Sequence, residues 1–396
     1  MISINEAKRI ISENLSEKNF IKLNVADCCG YVLAEDVFSQ LNLPQADNSA
    51  MDGFAFKYSD LQKNKTLTLS KKLAKAGDLP KKLKKSEAIR IYTGGLIPEG
   101  ADTVAEKEIV SVENNKIIIN SVLIKGRNVR YKGEDVKKND LLISKNTYIN
   151  PMNFPLITSS GNQYVKVFKK PDISIITTGN ELKKAGSKGK IKINQVIDSN
   201  YPMIKEMVKK IGIEKIFSLK ISDNFEKTVK TLKKALDKSD IIITIGGISA
   251  GDFDFVGEAF NKIGAREFFR QIKLKPGKPF SFFKFKNKMI FCLPGNPVSS
   301  AVCFDEFVKP AILNCSGIDY NHKYINATFE NTFEGKSGRS EILRGIYNLE
   351  NNSVKLAGTM QNSNILTELA HSNCFIYLDP AGITLKKGDK VKVRII

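Results

Sequence analysis

The sequence predicts a multidomain α/β plus β protein. A central doubly wound α/β domain covers 171–318, a small β domain at 46–135 is inserted into an N-terminal and linker region made of 1–45 and 136–170, and a small β-barrel covers 319–396. Three observations carry this reading. From Ile173 onward, short β-branched runs alternate with amphipathic stretches: Ile173-Ser174-Ile175-Ile176, a helix over 200–210, Phe217–Ile221, a helix over 224–237, then Ile241–Ile245. Such alternation implies a parallel sheet covered by helices on both faces. Between 54 and 135 the runs are short, turn-bounded and strand-like, and the last block is again strand-like, closing on Lys387-Gly388-Asp389-Lys390-Val391-Lys392-Val393.

The elements follow in order. Ala7, Ile10, Ile11 and Leu15 fall near helical spacing, so an amphipathic helix opens the chain and is expected to pack locally. Tyr31–Val37 is extended. In Leu41–Phe56, the turn and capping residues Asn48, Ser49, Asp52 and Gly53 give way to the strand-like Phe54-Ala55-Phe56. Two readings of Asp52 stand side by side: an acid carried into a site by a loop, or a tight hairpin in which Asp52 satisfies its own backbone. Strands follow at Leu67–Leu69, Ala88–Tyr92, Asp102–Val104 and Lys116–Ile119, with Thr93-Gly94-Gly95 and Arg127–Arg130 leading to Gly133-Glu134-Asp135 as turns between and after them. Phe280–Phe283 and Met289–Leu293 continue the strands of the central domain.

With 396 residues and 42% hydrophobic content the chain can bury several cores. No stretch has the apolar length to cross a bilayer and the first residues lack a signal-peptide pattern, so a cytoplasmic protein without membrane attachment is expected. The six cysteines form no C-x-x-C pair and read as reduced, buried thiols; His322 and His371 are too isolated for a zinc site. The net charge of +20 comes mostly from lysines spread along the whole length, without arginine clusters or interleaved aromatics. That pattern is a solvated lysine-rich surface and not a nucleic-acid face.

The stretch Ser239–Val256, SDIIITIGGISAGDFDFV, carries the most chemistry. A buried strand stops at Gly246-Gly247, and Ser249 and Gly251 add a hydroxyl and a free backbone N–H, a combination that fits a phosphate. Asp252 and Asp254 would repel that phosphate unless a divalent cation sat between them. The alternative is a solvated Gly/Asp turn. Glu181 and Asp223 also fall just after strands, so one sheet edge would carry four carboxylates, Glu181, Asp223, Asp252 and Asp254, as a Mg²⁺ site. Lys275-Pro276-Gly277-Lys278-Pro279 supplies cations, and Pro294-Gly295-Asn296-Pro297 opens a helix whose N–H groups offer a second anion site.

NSAMDGFA, RIYTGGLIPEGAD, GEDV, TGNEL, GGISAGDFDFV, KPGKP and LPGNPVS stand in this chain in the order of the molybdopterin molybdenumtransferase family, the MoeA type, which it resembles over nearly its entire length. The E domain of gephyrin belongs to the same type. The resemblance implies insertion of molybdate into adenylyl-molybdopterin with Mg²⁺-dependent hydrolysis and release of AMP, by an elongated homodimer whose central domain is of the molybdopterin-binding MoaB/Mog kind. It implies functional roles for Asp52, Thr93, Asp135, Glu181, Asp223 and Asp254, and cationic roles for Lys275 and Lys278. Substrate contacts are implied for Arg130, Gly246, Gly247, Ser249, Gly251, Pro294, Gly295, Asn296, Pro297, Arg344 and Ser363. Partners would be the molybdopterin adenylyltransferase and the molybdoenzymes or carriers that receive the cofactor. Two other functions are compatible with parts of the pattern: the adenylyltransferase itself, whose resemblance covers only about 171–315, and a non-catalytic gephyrin-like scaffold. Gln271 stands where the family commonly has a lysine, Asn180 where many relatives carry aspartate, and Ala250 where the loop often has a larger residue.

Overall fold

The computed structural model describes residues 1–221, 224–247, 255–335, 338–380 and 384–396. It divides into two compact units, one of 1–21, 30–34 and 166–396, the other of 22–29 and 35–165.

The larger unit is built on a six-stranded sheet of β1 (Ile173–Thr178), β2 (Ile216–Ile221), β3 (Ile241–Ile245), β4 (Arg266–Phe269), β5 (Ser281–Phe285) and β6 (Lys288–Leu293), in the order β2-β1-β3-β6-β5-β4. β2, β1, β3 and β6 are parallel; β5 runs antiparallel to both of its neighbours, β6 and β4. The sequence pattern implied a parallel sheet throughout, and the departure has a simple cause. β5 and β6 are joined by Lys286-Asn287 alone, with Lys286 at φ 53°, and a parallel crossover needs a dozen residues or more.

Side chains alternate between faces as the pleat demands. Ile241, Ile243 and Ile245 enter one core with α2 (Asn200–Lys210) through Ile204 and Val208, and with the long helix α5 (Pro297–Cys303) to α6 (Lys309–Cys315). Ile242 turns to the other face, against Val229, Leu232, Ala235 and Leu236 of α3 (Phe225–Lys238) and Val256, Ala259 and Phe260 of α4 (Phe255–Ile263). α1 (Ile4–Glu13) starts at Ser3, whose side chain accepts the Glu6 N–H at 3.1 Å. It does not pack locally: Ala7 and Ile11 are buried in the core of the sheet, because their apolar stripe needs a large apolar face and the sheet provides one.

α5 and α6 are bridged by a π-helical turn, Phe304–Val308, that turns Asp305 and Glu306 inward. Arg394 pairs with both carboxylates, at 2.9 Å to Glu306; the Tyr377 hydroxyl donates to Glu306 at 2.6 Å, and Lys8 caps the same carboxylate. His322 is largely buried here, its Nε2 3.2 Å from the Glu306 carbonyl oxygen, and burial followed by the nearby Arg394 charge push its pKa down to about 4. Cys28, Cys292, Cys303, Cys315 and Cys374 are buried free thiols, but Cys29 is exposed.

The last part of this unit is a closed barrel. β7 (Ile325–Phe329), β8 (Ser340–Asn348), β9 (Ser353–Leu356), β10 (Cys374–Leu378) and β11 (Lys390–Ile395) pair in the ring β8-β9-β7-β11-β10, and β10 closes back onto β8. Closure removes the edges a five-strand sheet would leave open. Phe329, Leu343, Val354, Ile376 and Val393 fill it.

In the smaller unit a six-stranded sheet has the order 103–106, 53–56, 87–91, 66–74, 116–119, 110–113. Phe54 and Phe56 enter one core and Ala55, with Ile89, Ile91 and Val104, the other. No helix among the described residues is long and apolar enough to cross a membrane.

Candidate functional site

The parallel strands end in register: Thr178 of β1 lies beside Ile221 of β2, and Ile245 of β3 beside Leu293 of β6. Ligands to open α/β sheets gather at such carboxyl ends. Gly246 and Gly247 leave β3 with φ of 82° and 70°, in the left-handed region, and a Cβ at either would fall 2.8 Å from the Thr178 hydroxyl or 2.7 Å from the Val256 side chain. Only glycine makes this turn without strain or collision. The Gly246 N–H donates to the Leu293 carbonyl at 3.0 Å, and a Cβ on Gly295 would lie 3.8 Å from the Gly246 Cα, so the GG turn and the LPGNP turn touch. Pro297 is the first residue of α5, with Asn296 as its N-cap. The Asn200 amide donates to the Gly295 carbonyl at 2.6 Å, a contact no motif announced.

The KPGKP loop reaches the same place through the barrel. Leu274-Lys275 forms a short parallel pair with Ser340-Glu341 of β8, and the Lys275 ammonium sits 2.9 Å from the Glu341 carboxylate, which is almost completely buried. Lys275, Lys278, Pro294, Gly295, Asn296, Arg339, Asn362 and Ser363 are among the residues that line a cavity of about 650 Å³. The Asn296 amide donates to the Ser363 hydroxyl at 3.0 Å across its wall. That volume lies within the ~300–1,000 Å³ typical of small-molecule sites. Three cations, one of them paired with Glu341, and the amide-rich 361–364 segment give it the donors that suit an anion with several oxygens.

Glu181 lies three residues beyond the end of β1 at the same sheet edge and is exposed. Ser249, Gly251, Asp252, Asp254 and Asp223 lie outside the described residues. Among the described residues no three acidic, histidine or cysteine side chains come together as a metal site. The donor set expected from the sequence is all carboxylate, which is the hard-oxygen chemistry that suits Mg²⁺.

Arg344, for which the resemblance implies a substrate contact, has no exposed surface and is 2.9 Å from Glu368 inside the barrel wall. β8 is buried over Glu341–Gly345, so no alternation in the sequence could reveal which way Arg344 points. Arg339, Asn362 and Asn200 are the residues that motif reading missed; Arg339 and Asn362 sit in segments without periodicity, and Asn200 opens α2, whose apolar spacing does not report on its amide.

In the smaller unit Asp52, Thr93, Arg130 and Asp135 are drawn around one segment. Ser49 exchanges backbone bonds with Gly94 and Gly95 on one side, while Asn48-Ser49 pairs with Val129-Arg130 on the other. The Asp135 N–H donates to Leu43 at 3.1 Å. Asp52 does not satisfy its own backbone: its carboxylate accepts both the Thr93 N–H and the Thr93 hydroxyl at 2.8 Å. The Thr93 N–H, then the hydroxyl, hold the Asp52 carboxyl below its ordinary range. Thr93→Val removes one donor, so the Asp52 titration, followed by carboxyl-carbon NMR, is expected to move up toward the ordinary value. The remaining bond, from the backbone N–H at position 93, is then lost at a higher pH as acid is added.

Three family models match in sequence: a MoeA N-terminal region (domain I and II) over residues 2–161, a "probable molybdopterin binding domain" over 174–314, and a MoeA C-terminal region (domain IV) over 326–396. A molybdopterin molybdenumtransferase of Haemophilus influenzae is 32% identical over 99% of this chain and 98% of that relative. The chain belongs to the MoeA family. A second relative, the molybdopterin molybdenumtransferase of Staphylococcus epidermidis, is 31% identical over 99% of this chain and 95% of its own length. Among solved structures, two molybdopterin biosynthesis MoeA proteins of Pyrococcus horikoshii match over 100% of this chain. One is 24% identical with a TM-score of 0.82 over 99% of its length. The other is 26% identical with a TM-score of 0.76 over 100%. The multidomain α/β plus β architecture and the barrel are those of the MoeA family.

Proposed function

We propose that this MoeA chain is a molybdenum insertase of molybdenum cofactor biosynthesis, acting in the cytoplasm as a homodimer. It takes adenylyl-molybdopterin and molybdate and releases AMP with the loaded cofactor. The observation that carries the reading is the cavity where Lys275, Lys278 and Arg339 meet the Asn296 turn and Ser363, in a chain matched by MoeA models from end to end. Both substrates are anionic, and a wall of cations and amide donors is what such ligands require.

The roles follow from position. The Gly246-Gly247 turn admits a phosphate close to the backbone at the end of β3. Lys275, oriented by Glu341, and Lys278 hold the oxyanion, with Asn296 and Ser363 fixing its orientation by hydrogen bonds. Glu181, Asp223, Asp252 and Asp254 would hold Mg²⁺, which when bound neutralises charge on the phosphates being separated. A carboxylate among them also serves to orient the attacking water. Asp52, held ionised by Thr93, and Asp135 and Arg130 are assigned to the same reaction from the smaller unit.

Purified protein given adenylyl-molybdopterin, molybdate and Mg²⁺ is expected to release AMP and yield molybdenum-loaded pterin. Given molybdopterin and ATP instead, it is expected to form no adenylyl-molybdopterin; the reverse pair of results identifies an adenylyltransferase. Binding of a partner peptide with no AMP release identifies a scaffold.

A further inference from the structure

Ser363 reaches the cavity on a segment with no strand or helix of its own. What holds that segment lies behind it. The Glu368 carboxylate, on α7 (Leu366–Ala370), accepts the Met360 N–H at 2.9 Å and the Gln361 N–H at 3.2 Å through one oxygen, and pairs with Arg344 at 2.9 Å through the other. Arg344 in turn donates from the same nitrogen to the Asn362 carbonyl at 3.1 Å. The Gln361 side chain closes the ring: it accepts the Arg344 N–H at 2.8 Å and donates to the Arg344 and Gly358 carbonyls. Gln361 itself is held at φ 49° although it is not glycine, a conformation that persists only where the surroundings enforce it.

This pair is poorly built for stability. Arg344, Glu368 and Gln361 are all at least nine-tenths buried, and the Arg344 Nε and Nη1 have no hydrogen-bond partner. A buried guanidinium left partly unsatisfied is often replaceable by an apolar side chain without loss of stability. What the pair supplies is direction, since the hydrogen bonds its two side chains make beyond each other end on 360–362, at the wall of the cavity.

We propose that Arg344 and Glu368 are positioning residues for oxyanion binding: they touch no ligand and set Asn362 and Ser363 at the cavity wall. The inference rests on the reading of the cavity as the oxyanion site. In a structural role alone, loss of binding would track loss of folding; in a positioning role the two separate, and the effect runs through Ser363.

The test is molybdate binding by titration calorimetry on the full chain, with thermal melting alongside. The neutral double variant R344M/E368Q is expected to keep or raise Tm while molybdate affinity falls about tenfold, within the range coupled neighbours show. E368Q alone, which keeps an acceptor for both N–H groups, is expected to give a smaller fall. In a Ser363→Ala background, itself about tenfold weaker, R344M/E368Q is expected to add little further loss, because both act through one contact. Unchanged affinity in R344M/E368Q overturns the proposal, as does a loss that simply multiplies with that of Ser363→Ala or follows a fall in Tm. Should Lys278→Ala and Ser363→Ala both leave molybdate binding intact, the site reading fails first; should they weaken it while R344M/E368Q does not, the positioning role alone fails.

Discussion

Asp254→Ala is expected to abolish metal-dependent AMP release, lowering it by at least about a hundredfold, the scale seen when a group stabilising transition-state charge is removed. Asp254 lies outside the described residues, and the expectation stands on its place in the chain. It follows the Gly246-Gly247 turn at the carboxyl end of β3, the strand flanked by β1 and β6, whose ends carry Glu181 and the LPGNP turn. An acid beside a phosphate site raises the cost of binding substrate unless it is matched by a cation, so its benefit must come through that cation. The variant is therefore expected to bind AMP in the absence of Mg²⁺ at least as tightly as the unaltered chain does, and to lose the stimulation by Mg²⁺. Release that stays Mg²⁺-stimulated in Asp254→Ala contradicts the metal assignment.

Arg394→Ala is expected to cost about 3–5 kcal/mol of folding stability, read from urea unfolding of the full chain. The substitution leaves Asp305 and Glu306 buried, at 4% and 1% exposure, with their main counter-charge gone. Lys8, the Tyr377 hydroxyl, His322 and, for Asp305, Lys309 remain around them, and His322 is neutral at pH 7. Burial pushes the Glu306 carboxyl up, but Arg394, then Lys8 and His322, outweigh it and hold it below the ordinary range. A carboxyl with a depressed folded-state pKa stabilises above its unfolded value, about 4.3, and that contribution is lost as pH falls through the folded value. Without Arg394 the largest charge opposing burial is gone and the Glu306 carboxyl moves up. The stability gap between the two proteins is therefore expected to narrow as acid protonates Glu306, and a gap independent of pH contradicts the assignment.

Much of this was legible in the residues. β3 and α2 stand where the β-branched run and the helical spacing put them, at 241–245 and 200–210, because a buried strand and an amphipathic helix write their periods directly into the chain. The glycines at 246–247 and the KPGKP and LPGNP turns were legible for a similar reason: each needs a particular residue at a particular backbone angle. The far wall of the cavity was not. Arg339 and Asn362 come to the cavity, and Glu368 to Arg344, only in the folded barrel, and Arg344 was assigned to the ligand from the family resemblance, while its strand, buried over Glu341–Gly345, shows no alternation that gives its direction. α1 was expected to pack locally because its sequence specifies an apolar stripe but not the surface that receives it. β4 escaped notice because an edge strand of four residues, Arg266–Phe269, has too short a pattern to stand out.

The most direct measurement is a crystal of the full chain grown with AMP and Mg²⁺ and soaked in tungstate, with the tungsten located from its anomalous signal. Tungsten is expected in the cavity between the KPGKP loop and Ser363, with tungstate oxygens within hydrogen-bond distance, roughly 3 Å, of the Lys278 ammonium and the Ser363 hydroxyl. Tungsten bound elsewhere, with Lys275, Lys278, Asn296 and Ser363 facing only solvent, would contradict it.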